Sequence, residues 1–326
     1  MSFQTPILII AWKRPDKVMK LINSMRILKP QKIYIACDGD DGYSKDLIKR
    51  IEETKEVIES HINWDYKILK KRYSKVNQGC KEGVSNAISW FFDEEKEGII
   101  LEDDCLPHPD FYGYCKKMLE RFRFDRRVWC ITGCNFQKGL TRGNGSYYFS
   151  KYNHCWGWAT WRECWADYDK EMKSWPAFKK QKLIDNFFYH NYQARYWERN
   201  FDEIFNGKVD TWDYQWTFCC FKNGGLTVTP NVNLIENIGF GKDATHTKIG
   251  NSPLSLKEFS LGSTKMTNIK DPYPLVFQAN EEADQFVESS YFLLYKNKFL
   301  PLLRRFFCKI FGKINFLLLQ INRFFQ

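Results

Sequence analysis

The 326-residue chain has 11 cysteines but no C-x2-C pair, and before its tail it has no low-complexity tract and no Pro/Gly/Ser-rich linker. The missing pairs exclude the common structural zinc sites. An odd, scattered set of cysteines reads as reduced and mostly buried thiols, which suits a reducing cytoplasm. The apolar run Ile7 to Trp12 is too short for a secretory signal, and its charges, Lys13-Arg14, follow the run instead of preceding it. Asp and Glu are absent from Tyr291 to Gln326, where Lys296, Lys298, Arg304, Arg305, Lys309, Lys313 and Arg323 supply seven of the net +10 charges and leave +3 for the rest. Basicity therefore belongs to the tail. A nucleic-acid binder would spread it over a phosphate-tracking surface, so nucleic acid is not an expected partner.

Aromatics are plentiful, 17% of the residues, and bring enough apolar area to build a globular core. Short apolar runs alternate with helical patterns. Pro6 to Ala11, Lys32 to Cys37, Tyr66 to Leu69, Gly98 to Leu101 and Val128 to Thr132 read as strands. Pro15 to Leu28, Ser44 to Ser60, Gly79 to Phe92, a stretch from Pro109 and a segment from Lys179 to Phe205 read as helices. Repeated βα units predict an α/β, Rossmann-like, mostly parallel sheet flanked by helices. In such sheets ligands sit beyond the carboxyl ends of the strands.

Those ends carry carboxylates. Cys37 runs into Asp38-Gly39-Asp40 and Leu101 into Glu102-Asp103-Asp104. Crowded carboxylates repel one another unless a cation or hydrogen-bond donors compensate, and Mn²⁺ or Mg²⁺ shared with a diphosphate would do so. A solvated acidic turn is the alternative. The segment Ile99-Ile-Leu-Glu-Asp-Asp-Cys-Leu-Pro-His-Pro-Asp-Phe-Tyr-Gly-Tyr114 resembles the metal-binding signature of GT-A fold glycosyltransferases, closest to the N-acetylglucosaminyltransferase I-like branch and to bacterial surface-polysaccharide transferases. Thr5-Pro6, Arg14-Pro15, Asp38 and Asn77-x-Gly79-x-Lys81-x-Gly83 agree with it. The resemblance implies that Asp104 ligates the metal. It also implies that Glu102 and Asp103 contact ribose or donor sugar, and that Asp38 receives the base or ribose. Arg14 and Lys81 would neutralise phosphate, and Asn77 with Gly79 would let the backbone approach the nucleotide; an ordinary loop and helix start is the plainer reading of that last pair.

Further along, Thr211-Trp-Asp-Tyr-Gln-Trp216 places Asp213 between tryptophans, a setting that suits a general base taking the acceptor hydroxyl proton with inversion at the anomeric carbon. The related Trp-Asp-Asp-Trp pattern differs in spacing, and a Trp-lined core turn is the alternative. His246 in the glycine-containing stretch Asn237 to Thr247 is a further candidate metal ligand, and the same stretch a candidate lid. Trp156, Trp158 and Arg162 form an acceptor or donor-sugar platform, or else core. The implied partition is a GT-A-like catalytic domain over 1–271, split into a nucleotide-sugar half (1–133) and an acceptor half (134–271), then a connecting segment over 272–290 and a basic amphipathic tail over 291–326. In that tail Arg305, Lys309 and Lys313 recur at i+4, as on a helix lying on an anionic membrane surface. The expected protein is thus a cytoplasmic glycosyltransferase held peripherally at the inner face of the cell membrane. It would take a nucleotide-sugar, with UDP implied by the resemblance, and a saccharide or lipid-linked acceptor. A catalytically silent nucleotide-sugar-binding scaffold and a nucleotidyltransferase are the alternatives. The second normally carries a Gly-rich loop after the first strand, whereas Trp12-Lys13-Arg14-Pro15 contains no Gly. The Gln-x-x-Arg-Trp motif of processive relatives is absent, which points to single-sugar addition.

Overall fold

The computed structural model describes residues 2–240, 265–266, 268–272 and 277–294. His246, the lid stretch beyond Phe240 and the tail beyond Leu294 lie outside the described residues.

The first half is a run of βα units. Strands β1 (Ile7–Ala11), β2 (Lys32–Cys37), β3 (Ile68–Tyr73) and β4 (Glu97–Glu102) alternate with helices α1 (Pro15–Met25), α2 (Lys45–His61) and α3 (Gly79–Glu94). The strands pair in parallel in the order β3-β2-β1-β4. Ile7, Leu8 and Ile9 of β1 are fully buried on both faces, as a central parallel strand requires. Helix α1 starts with Pro15 and buries Val18, Leu21, Ile22 and Met25, one stripe at helical spacing. Strand β3 runs on through Lys70, Lys71 and Arg72, beyond the apolar run that marks it in the sequence, because it is an edge strand whose charges face water.

The sheet then continues past the predicted strands. A short strand β5 (Cys105–Pro107) leads to helix α4 (Pro109–Phe122) and β6 (Val128–Thr132), followed by β7 (Tyr147–Ser150) and β8 (Trp158–Trp161). Helices α5 (Arg162–Trp165), α6 (Trp175–Lys180), α7 (Asn191–Phe205) and α8 (Asp213–Lys222) precede β9 (Leu226–Pro230) and β10 (Ile235–Asn237). The full order is β3-β2-β1-β4-β8-β6-β9-β7, with β8 and β7 antiparallel to their neighbours, and β5 and β10 form a separate pair. The architecture is therefore α/β, with a large, mostly parallel sheet flanked by helices. The single helix expected over 179–205 is broken: α6 ends at Lys180, a 3₁₀ turn spans Leu183–Phe187 and α7 begins at Asn191.

Residues 272–290, expected to be a connector, include helix α9 (Glu281–Ser290), started by Asn280, whose side chain accepts from Ala283 N. Ala283 and Val287 are buried against the sheet, and so are Asp284 and Glu288. Helix α9 is part of the folded body. Among the described residues no helix is long and apolar enough to cross a membrane, and all ten described cysteines are free.

Candidate active site

The carboxyl ends of β1, β2 and β4 open into one cavity of about 810 Å³. Arg14, Asp38, Asn77, Gly79, Glu102, Asp103, Asp104, Trp156 and Asp213 all line it, so residues up to 199 positions apart in the chain meet in one space.

The acidic run is not unpaired. The Arg14 guanidinium bridges both aspartates, contacting Asp103 Oδ1 and lying 2.9 Å from Asp104 Oδ2. Asp103 Oδ2 also accepts from Trp12 N at 3.3 Å. Burial would lower the Arg14 pKa, but Asp103 and Asp104 outweigh it and hold the group charged. Burial first, and mutual repulsion second, pushes Glu102 up; burial likewise pushes Asp103 up, with Arg14 opposing. Arg14 and the Trp12 N–H thus supply part of the compensation expected from a cation or from hydrogen-bond donors. Asp104 is closed in further by Gly239, where a Cβ would come within 2.3 Å of Oδ2, and by the Ile238 N–H, which donates to the Asp104 carbonyl at 2.8 Å.

Among the described residues no three His, Cys, Asp or Glu side chains converge as a metal cage. Mg²⁺-type ions are commonly held by one or two carboxylates and completed by phosphate oxygens and water. Asp104 lines the cavity, and among the described residues its Oδ1 accepts from the Cys105 thiol at 3.6 Å. Among the described residues the donor set thus fits a cation shared with a diphosphate better than one held by these side chains alone.

The start of α3 also differs from expectation. Asp38 accepts from Gly39 N at 2.9 Å and from Gln78 N at 3.0 Å. Asn77 Oδ1 takes Gly79 N at 2.8 Å, and Asp210 takes Cys80 N and Lys81 N, both at 2.9 Å. The amides expected to meet the nucleotide are satisfied by side chains of this chain. Gly79 is required here, with φ at +79° and a would-be Cβ 2.9 Å from Asp210 Oδ2. Burial raises the Asp38 pKa, with those backbone donors opposing.

Four other expected residues stand elsewhere. Thr5 is buried at the entrance of β1, on the opposite rim. The Lys81 ammonium pairs with Glu171 at 2.8 Å and does not line the cavity. Trp158 sits inside the sheet, stacked on Trp212 with centroids 5.6 Å apart, and belongs to the core. Arg162 caps the end of α3, donating to Glu95 O at 3.1 Å and Asp93 O at 3.3 Å, so it is no phosphate partner. Trp156, by contrast, does face the cavity, edge-on to Phe136 at 5.3 Å.

Asp213 opens α8 and accepts from the Thr211 hydroxyl. Around it the cavity changes character: Phe136, His154, Trp156, Tyr196, Tyr291 and Phe292 make an aromatic end. Burial pushes the His154 pKa down to about 3, leaving a neutral imidazole. None of these except Trp156 is marked by a local motif. Asp210 and Gln78 were equally hidden, since their partners lie across the fold.

No family model matches the chain, and no curated protein matches it. Among solved structures the chain is similar to HddC from Yersinia pseudotuberculosis, with a TM-score of 0.31 and 13% identity over 50% of this chain and 80% of that one. A cytidylyltransferase from Leptospira borgpetersenii matches with a TM-score of 0.31 and 10% identity over 62% and 74%. The galactosyltransferase LgtC, in complex with donor and acceptor sugar analogs, matches with a TM-score of 0.29 and 12% identity over 54% and 65%. Overlaps this weak carry no functional weight, and the site is read from its own residues.

Proposed function

We propose that the chain is a glycosyltransferase that moves a sugar from a nucleotide diphosphate-sugar to a saccharide or lipid-linked saccharide acceptor, with inversion. The observation that supports this best is one cavity with two chemistries: a charged end at Arg14, Asp38 and Glu102 to Asp104, and an aromatic end, with Asp213 facing both. A nucleotide diphosphate needs the first and a sugar ring suits the second.

In this reading Asp38 fixes α3 against β2 and keeps lone pairs for a ribose hydroxyl. Arg14 holds Asp103 and Asp104 in place at the diphosphate. Mn²⁺ or Mg²⁺ bound between Asp104 and the diphosphate would supply neutralisation of the leaving nucleotide. Asp213 takes the proton from the acceptor hydroxyl as its oxygen bonds to the anomeric carbon. The bond from that carbon to the diphosphate oxygen breaks on the opposite face.

Transfer from a panel of nucleotide-sugars, UDP-sugars first, measured with and without Mn²⁺, tests the reading. Asp213→Asn should keep donor binding and lower turnover by about 10²- to 10⁴-fold; unchanged turnover would reject the base role. Pyrophosphate release from a nucleoside triphosphate and a sugar 1-phosphate, with no glycosyl transfer, would favour a nucleotidyltransferase instead.

A further inference from the structure

Helix α9 ends inside the cavity. Its end is closed by Tyr291 N–H to Val287 O at 2.8 Å, Phe292 N–H to Val287 O at 3.1 Å and Leu294 N–H to Glu288 O at 2.7 Å. Leu293 sits in the left-handed region, at φ 57°, a conformation that side chains disfavour. Strain of this kind concentrates at ligand sites, and Tyr291, Phe292 and Leu293 all line the large cavity.

The helix is pinned from behind. Ser150 Oγ donates to Asp284 at 2.5 Å, Tyr152 OH to Glu288 at 2.6 Å, and the Lys151 ammonium lies 3.2 Å from Glu288, which also accepts from Gln193. So many bonds to two buried carboxylates fix one register for α9, and with it the position of the residues that follow. Tyr291 stacks on Phe136 at 4.6 Å, while Phe292 meets Tyr152 at 5.0 Å and Trp197 at 5.1 Å. His154 lies between them, 5.7 Å from Tyr291. The Tyr291 phenol is near enough to Asp213 for that carboxylate, after burial, to raise its pKa.

We infer that Tyr291 to Leu293 forms a wall of the acceptor subsite and that Tyr291 contacts an uncharged pyranose ring of the acceptor. The inference rests on the glycosyltransferase reading above. A pyranose offers apolar C–H faces to aromatic rings and hydroxyls to Asp213 and neutral His154. An acidic sugar would instead meet the like charge of Asp213.

Saturation-transfer NMR on the full chain with UDP tests this, using methyl β-D-glucopyranoside, methyl N-acetyl-β-D-glucosaminide and methyl β-D-glucuronide as probes. Saturation should reach the two neutral glycosides and not the glucuronide. Tyr291→Ala should weaken it about two- to tenfold, the worth of one aromatic contact, with UDP affinity unchanged. Tyr291→Leu keeps the bulk and guards against unfolding; it should melt like the wild type and still show the weakened signal, whereas Tyr291→Phe should retain it. Equal saturation in Tyr291→Leu, binding of the glucuronide as well as the glucoside, or no glycoside signal from protein that binds UDP would overturn the acceptor wall alone. Failure of the wild type to bind any nucleotide would sink the reading beneath it.

Discussion

Arg14 holds two carboxylates at once, and one of them, Asp103, is 2% exposed. Removing one partner of a buried pair leaves an uncompensated charge, which destabilises by about 3–5 kcal/mol. Arg14→Met should therefore lower the unfolding free energy read from urea denaturation by that order, and Arg14→Lys should fall between, since it keeps the charge and loses the fork. The loss should shrink on acidification, because a protonated carboxyl needs no counter-charge; an Arg14→Met protein as stable as wild type at neutral pH would contradict the pairing. The sequence shows which residues carry charge at the strand ends, and Asp104, Asp38 and Arg14 line one cavity. It does not show that 90 positions of chain bring Arg14 onto Asp104. Residue type alone could not separate Trp156 from Trp158 either. One stands before β8 and reaches the cavity, the other lies inside β8 against Trp212.

At the scale of elements, α9 carries the largest departure from expectation and a pH signature with it. Burial pushes the Asp284 carboxyl from its ordinary 3.8 up to about 7, with Lys151 and Ser150 opposing. A pKa raised on folding means that the folded state binds the proton more tightly. The contribution of Asp284 is thus fully favourable at low pH, is lost as pH rises from about 4 to about 7, and is flat above. Asp284→Asn should remove this slope, so that urea denaturation of wild type and variant diverges across that window by on the order of a few kcal/mol; parallel profiles would contradict it. Asn280 is a readable helix start, yet the acidic residues of 281–288 look like a solvated face. Their burial depends on Ser150, Tyr152 and Gln193, which only the fold supplies. The start of α3 was opaque for the same reason: its cap, Asp210, stands 130 residues from Cys80.

For the whole molecule, the parallel core β3-β2-β1-β4 was legible because strands buried on both faces must be apolar along their length. The second half was not, because β7, β8 and β9 are short and antiparallel members appear beside long-range partners. The charge asymmetry was legible. Seven of the ten net positive charges follow Leu294, while Tyr291 to Leu293 belong to the cavity wall. Two truncations should therefore behave differently. Ending the chain at Leu294 should leave melting and UDP binding unchanged and abolish salt-sensitive co-sedimentation with phosphatidylglycerol vesicles, since each basic residue near an anionic surface is worth about 1 kcal/mol. Ending it at Ser290 should lose vesicle binding and, in addition, glycoside saturation transfer, because the wall at Tyr291 goes with the tail. Vesicle binding that survives the cut at Leu294 would place the membrane contact within residues 1–294, whose net charge is only +3. Identical behaviour of the two truncations toward glycosides would detach the acceptor site from α9.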